Sequence, residues 1–158
     1  MSDENELRKA KFYILRLFNL RPRSEDELRK RLTERGFTKE TIDNVIADFS
    51  KKGLVNDAKF SKLWVDSRMS SRPKGAAVLK HELRAKGIDE QTIEATLQEV
   101  KAGYNEYEVV KGLADERMQQ LAGLDKASQK RRLFGFLKRR GFDFDVVMKV
   151  VNESVKAG

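Results

Sequence analysis

The side chains best placed to do chemistry in this chain are cations that recur in groups. Arg29, Lys30, Arg31 and Arg35 form one group. Lys80, Arg84 and Lys86 form a second, and Lys130, Arg131, Arg132, Lys138, Arg139 and Arg140 a third. Rows of guanidinium and ammonium groups suit a phosphate backbone or an acidic protein groove, because each neutralised phosphate releases counterions. Arg35, Lys86 and Arg140 each directly precede a glycine. A cation at a helix C-terminus is favoured by the helix dipole alone, so these three have a structural explanation. The run Lys130-Arg131-Arg132 does not. It is expected near a helix start, where positive charge is disfavoured, which makes it the better contact candidate.

Other chemistry is poorly supported. The chain has no cysteine and one histidine, His81. Thiolate sites and disulfides are excluded, and an imidazole-built metal site has too few ligands. His81 sits beside Lys80 with no nucleophile to activate. Gly75 and Gly87 fit neither nucleotide-binding fingerprint. Carboxylates are plentiful but spread along helical faces. The expectation is a protein that binds rather than catalyses, with no cofactor and no metal.

The cations are positioned by an internal repeat. Three segments align without gaps: LRKRLTERGFTKETIDNVIADF from Leu28, LKHELRAKGIDEQTIEATLQEV from Leu79, and LFGFLKRRGFDFDVVMKVVNES from Leu133. Leu28 and Leu32, Leu79 and Leu83, and Leu133 and Leu137 each share one face of a helix. Each helix should stop at its glycine, Gly36, Gly87 or Gly141, in the left-handed conformation that glycine tolerates. Phe37, Ile88 and Phe142 follow. In a Schellman ending they meet Leu32, Leu83 and Leu137. Thr38, Asp89 and Asp143 are then N-caps of a second amphipathic helix. Its apolar stripe is Ile42, Ile46, Phe49; Ile93, Leu97, Val100; and Val147, Val151.

A further helix precedes each pair. The spacing predicts Leu7 to Leu20 with Phe12, Leu15 and Phe18; Ala58 to Met69 with Phe60, Leu63 and Trp64; and Glu106 to Leu121 with Val109, Val110, Leu113, Met118 and Leu121. The aromatic cluster of the second could stack a base, but helical spacing favours core. Pro22 and Pro73 break the chain six residues before Leu28 and Leu79. Ser24 to Glu27 is a capping box. No segment alternates with period two for long enough to make a strand. The fold class is all-α: three tandem three-helix repeats, 1–53, 54–103 and 104–158, in an elongated, curved array, each with a helix-turn-helix-like pair.

Charge then narrows the partners. Charged residues make up 37% of the chain, and the net charge is +8. Residues 1–53 carry 13 basic and 10 acidic side chains, 54–103 carry 9 and 7, and 104–158 carry 11 and 8. A folded body with distributed positive charge attracts polyanions. Sequence-specific readout of a DNA major groove is not expected. The last helices open on Thr38-Lys39-Glu40, Asp89-Glu90-Gln91 and Asp143-Phe144-Asp145, where acidic groups repel DNA. No apolar run approaches the roughly 20 residues of a bilayer span, and residues 1–11 lack a signal-peptide core. A cytoplasmic monomer with no membrane partner is expected.

The ordered motifs resemble the RecX family of bacterial recombination regulators. The central repeat carries most of the likeness: Gly53-Leu54, Asp57, Phe60, Trp64, Ser67-Arg68, Lys74-Gly75, Glu82-Leu83 and Lys86-Gly87-Ile88. Tyr13 to Leu17, Arg23-Ser24, Leu28 and Leu32 resemble the first repeat, and Arg139 to Phe142 the third. The likeness runs from about Arg8 to Ser154. Asn56 stands where the family usually has an acidic residue, and it can still cap a helix. The resemblance implies a negative regulator of the RecA recombinase. It would lie in the groove of the RecA–DNA filament and reduce ATPase, strand-exchange and co-protease activities, modulating DNA repair and the SOS response. DNA itself would be bound weakly, single- or double-stranded. The alternative from charge alone is a low-specificity nucleic-acid binder that competes for DNA.

Overall fold

Helix after helix is what the apolar spacing allows, and the computed structural model contains no strand among the described residues, 4–157. Residues 1–3 and 158, within the expected first and third repeats, lie outside them. The helices are α1 (Glu4–Leu20), α2 (Glu25–Glu34), α3 (Lys39–Lys51), α4 (Asp57–Ser71), α5 (Ala76–Ala85), α6 (Glu90–Gly103), α7 (Glu106–Leu121), α8 (Lys126–Arg139) and α9 (Phe144–Ala157). They fall in triplets, as the repeat requires.

The glycine inside each triplet has the expected left-handed conformation, and the first two turns carry the expected hydrogen bonds. Gly36, Gly87 and Gly141 take φ of 87°, 79° and 87°. After α2, the Phe37 N–H donates to the Leu32 carbonyl at 3.2 Å and the Gly36 N–H to Thr33 at 3.0 Å, the Schellman pair. After α5, Ile88 and Gly87 donate to Leu83 and Arg84 in the same pattern. The next helices are capped as expected: Thr38, Asp89 and Asp143 accept backbone N–H groups of Thr41, Thr92 and Val146. Ser24 and Glu27 form the reciprocal capping box of α2. Asn56 accepts from the Lys59 N–H at 3.0 Å.

The structure divides into two compact units. One comprises the chain up to Trp64 with Leu83–Thr96; the other comprises Val65–Glu82 with the chain from Leu97. In the first, Ala10, Ile14 and Leu17 of α1 pack with Leu28, Leu32, Ile42, Val45, Ile46 and Phe49. In the second, Val110, Ala114 and Leu121 of α7 pack with Leu133, Leu137, Phe142, Val147, Val150, Val151 and Val155.

Two details differ from the sequence reading. The buried face of α1 is Ala10, Ile14 and Leu17, whereas Phe12 and Leu15 are exposed. In α4, Phe60 is buried and Trp64 half-buried, stacked at 6.0 Å, but Leu63 faces solvent.

Each unit also contains one junction between successive repeats. In the first unit, the Ser24 hydroxyl at the head of α2 donates to the Lys86 carbonyl at 2.7 Å. In the second, the Gly75 N–H at the head of α5 donates to the Arg140 carbonyl, also at 2.7 Å. Ser24 and Gly75 occupy the same repeat position, as do Lys86 and Arg140. The head of one middle helix thus seats the glycine turn of the next repeat, twice.

Candidate functional site

The repeated cations separate into held and unheld groups. Arg29 is held: Nε donates to Glu25 at 3.0 Å and Nη1 to Asp43 at 2.8 Å. The Asp43 hydrogen bond leads in pushing its pKa up. Lys30 pairs with Asp26 at 3.0 Å, and Arg84 with both oxygens of Glu90. Lys80 is half-buried. These surface pairs contribute little to stability, but they occupy cations that a partner would otherwise neutralise.

The three cations before the glycines lie over aromatic rings. The Arg35 guanidinium is 4.5 Å from the Tyr13 centroid, the Lys86 ammonium 5.0 Å from Trp64, and Arg140 4.7 Å from Phe136. Tyr13 and Trp64 occupy the same repeat position, 15 residues before Leu28 and Leu79. Helix dipole and ring face act together here, so these cations serve the fold. Lys86 also reaches Glu27 at 3.3 Å. Lys138 lies 5.7 Å from the Phe144 ring, and Arg139 is exposed.

Lys130, Arg131 and Arg132 are exposed, and none pairs with a carboxylate within 4 Å among the described residues. Their helix begins at Lys126, so they lie in its second turn rather than at its start. The extra turn is capped by Asp125, which accepts from the Ser128 N–H. The same repeat positions in α2 are Glu25, Asp26 and Glu27, at a true helix N-terminus. One position set is therefore acidic where it starts a helix and seats a turn, and basic where it faces solvent.

The structure adds residues that the repeat did not nominate. Lys126 and Lys156 join Lys130 around an open cleft of about 420 Å³, lined also by Ala127 and Val155. The spacing of Lys126 and Lys130, one helical turn, was a readable signal. Lys156 comes from α9 and had none. Among the described residues no His/Cys/Asp/Glu group is placed to hold a metal, and no helix is long and apolar enough to cross a membrane.

Three family models match in chain order: RecX first three-helix domain over residues 10–49, second over 56–97, and third over 105–151. The chain belongs to the RecX family. "Regulatory protein RecX" of Amycolatopsis mediterranei (strain U-32) is 33% identical over 153 residues, covering 97% of this chain and 87% of that protein. The protein of the same name from Mycobacterium sp. (strain KMS) is 34% identical over 154 residues, covering 95% and 84%. The crystal structure of RecX from Lactobacillus salivarius has the same fold, with a TM-score of 0.84 at 21% identity over 96% of this chain and 98% of that one. The family's three-helix domains correspond to the three helix triplets.

Proposed function

We propose that this chain is a negative regulator of the RecA recombinase. It acts as a monomer that lies in the groove of the RecA–DNA filament and lowers ATP hydrolysis, strand exchange and co-protease activity. The observation that carries the reading is the ordered match of all three RecX domains across the chain. The repeats are taken as 1–53, 54–103 and 104–158. A series of similar modules suits a helical polymer whose protomers also repeat. The unpaired cations of α8 supply attraction towards a filament that carries DNA. No catalytic chemistry is assigned to the chain.

The test is the ATP hydrolysis rate of RecA filaments on single-stranded DNA with this protein titrated in. Hydrolysis should fall at protein levels well below those that coat the DNA. Reversing Lys130, Arg131 and Arg132 to Glu should weaken inhibition while helical content is kept. Inhibition unchanged by that reversal would remove the cluster from the contact surface.

The Lys126, Lys130 and Lys156 cleft favours one second reading, a low-specificity nucleic-acid binder that competes for DNA. Its signature is inhibition only near DNA saturation. Log affinity would then fall with log salt by about 0.7 to 0.9 per phosphate contact.

A further inference from the structure

Helix α1 carries an apolar row on the side away from its core. Three of the six large apolar side chains exposed among the described residues lie on it: Phe12 (63%), Leu15 (45%) and Leu20 (77%). Single apolar side chains on a surface need no explanation, but neighbouring ones do. Phe12 and Leu15 are three residues apart and stand side by side on the helix. Arg8 and Asn19 continue their row by one turn at each end, and Lys9 and Arg16 run along its edge. Arg8, Lys9 and Arg16 are exposed, and none pairs with a carboxylate within 4 Å among the described residues. The carboxylates of α1 stand outside the row. Glu4 opens the helix, and Glu6 accepts from the Thr38 N–H and the Thr41 hydroxyl. The face is therefore apolar in its middle and positive around it.

The second repeat shows that the fold does not require such a row. Ala10 and Ile14 correspond to Ser61 and Val65, which are buried in α4 as their counterparts are in α1, so the two helices share a register. Where α1 has Leu15, α4 has Asp66, and where α1 has Leu20, α4 has Ser71, both exposed.

We propose that this face of α1 docks an acidic amphipathic helix of a protein partner, with Phe12 and Leu15 as the apolar anchors and Arg8, Lys9 and Arg16 set against its carboxylates. An amphipathic helix lays residues at i, i+3, i+4 and i+7 into such a row, and flanking charges select which helix is accepted. Charge decides between occupants. A second copy of this chain would bring the same three cations face to face. A nucleic-acid strand would meet the cations but give Leu15 no apolar partner. A lipid surface takes up a helix by a broad apolar stripe, and the larger stripe of α1 is turned into the core. The inference does not rest on the filament reading, and no recombinase enters its test.

The whole chain labelled with ¹⁵N is titrated, to about 1 mM, with two synthetic helical peptides. Both carry one row of leucines at helical spacing; the flanking positions are glutamate in one and lysine in the other. The backbone signals of Arg8 to Asn19 should shift with the acidic peptide and not with the basic one. Phe12→Ser/Leu15→Ser should weaken binding about tenfold or more, as loss of central anchors does. Arg8→Glu/Lys9→Glu/Arg16→Glu should reverse the preference and take the basic peptide instead. Every substituted side chain is exposed, so both variants should keep the parent's helical content. The proposal is overturned if the acidic peptide moves no signal on α1, if the basic peptide binds equally, or if the serine variant binds like the parent. It is also overturned if Phe12 and Leu15 respond instead to oligo(dT) or to phosphatidylglycerol vesicles. A sedimenting dimer of the parent that the serine variant fails to form would make the face a self-contact and overturn it too.

Discussion

The two repeat junctions perform one task with opposite chemistry. At the first, Ser24 uses its hydroxyl to reach the Lys86 carbonyl, and Glu27 is clamped by Arg21 and Lys86. At the second, Gly75 uses its backbone N–H to reach the Arg140 carbonyl, and Val78 stands where the first junction has Glu27. Arg72, at the position of Arg21, therefore has no carboxylate there, and it acts on Arg140 as a like charge. The Arg140 pKa is lowered, first by burial and then by Arg72. A side chain at the first junction provides what close backbone approach provides at the second. The polar junction should accordingly be sensitive to pH and the glycine junction to volume.

The largest expected effect is at the glycine junction. A Cβ on Gly75 would lie 2.1 Å from the Gly141 carbonyl oxygen, and backbone cannot yield as a side chain can. Gly75→Ala should cost about 3 kcal/mol in urea unfolding, the upper range for overpacking. An unchanged midpoint would mean that the approach is not tight in solution.

Next comes the clamped carboxylate. Burial opposes ionisation of Glu27, but the Arg21 and Ser24 hydrogen bonds and the charges of Arg21 and Lys86 prevail, holding its pKa at about 2 against an ordinary 4.5. At about 1.4 kcal/mol per pKa unit this amounts to on the order of 3 kcal/mol. Because the folded pKa is depressed, the contribution is present above pH 4.5 and is lost as pH falls towards 2. Glu27→Gln should lose about 2 kcal/mol at neutral pH, allowing for residual hydrogen bonds. Its stability should also vary less over that acid range than the parent's. Equal slopes would show that Glu27 is not clamped.

Ser24→Ala removes the α2 cap and the bond to Lys86 together and should cost about 1 to 2 kcal/mol. The matched control is Ser24→Gly, which tests whether the first junction can adopt the backbone solution of the second. A smaller loss for glycine than for alanine would say that it can.

The smallest effect is at Asp57, which accepts the Glu25 N–H at 2.9 Å. Burial first, then the nearby carboxylates Glu25, Asp89 and Asp26, raise its pKa, against the Glu25 hydrogen bond. A raised carboxylate pKa means that its contribution is present at low pH and lost as pH rises through the folded value. Asp57→Asn keeps an acceptor without the charge. It should leave thermal stability unchanged or slightly higher at pH 7, by about 0.5 kcal/mol. A clear loss would show that the charge itself is needed.

Much of this was legible in the chain. The glycine turns, their Schellman partners and the N-caps could be read because each depends on residues within one turn of another. The exposed side of α1 could not. Phe12 and Leu15 have the same chemistry as Ile14 and Leu17, and only the neighbours of α1 decide which face is covered. The run Lys130-Arg131-Arg132 could be read as a group of cations, but its helix begins a turn earlier than the repeat implied, because Asp125 supplies a cap outside the aligned segment.

The sequence by itself determined that the chain is helical, three times repeated, basic and without cysteine chemistry, because those properties follow from composition and local spacing. Tertiary structure decided which of the repeated cations are bound and which are open. Arg29 is spoken for by Asp43, fourteen residues away, and Lys86 by Glu27, 59 residues away. Arg23 reads as an ordinary surface arginine until the fold buries it to 7% exposure. A charge is available to a partner only when nothing within a few ångströms neutralises it, and distances between remote residues exist only once the chain has folded.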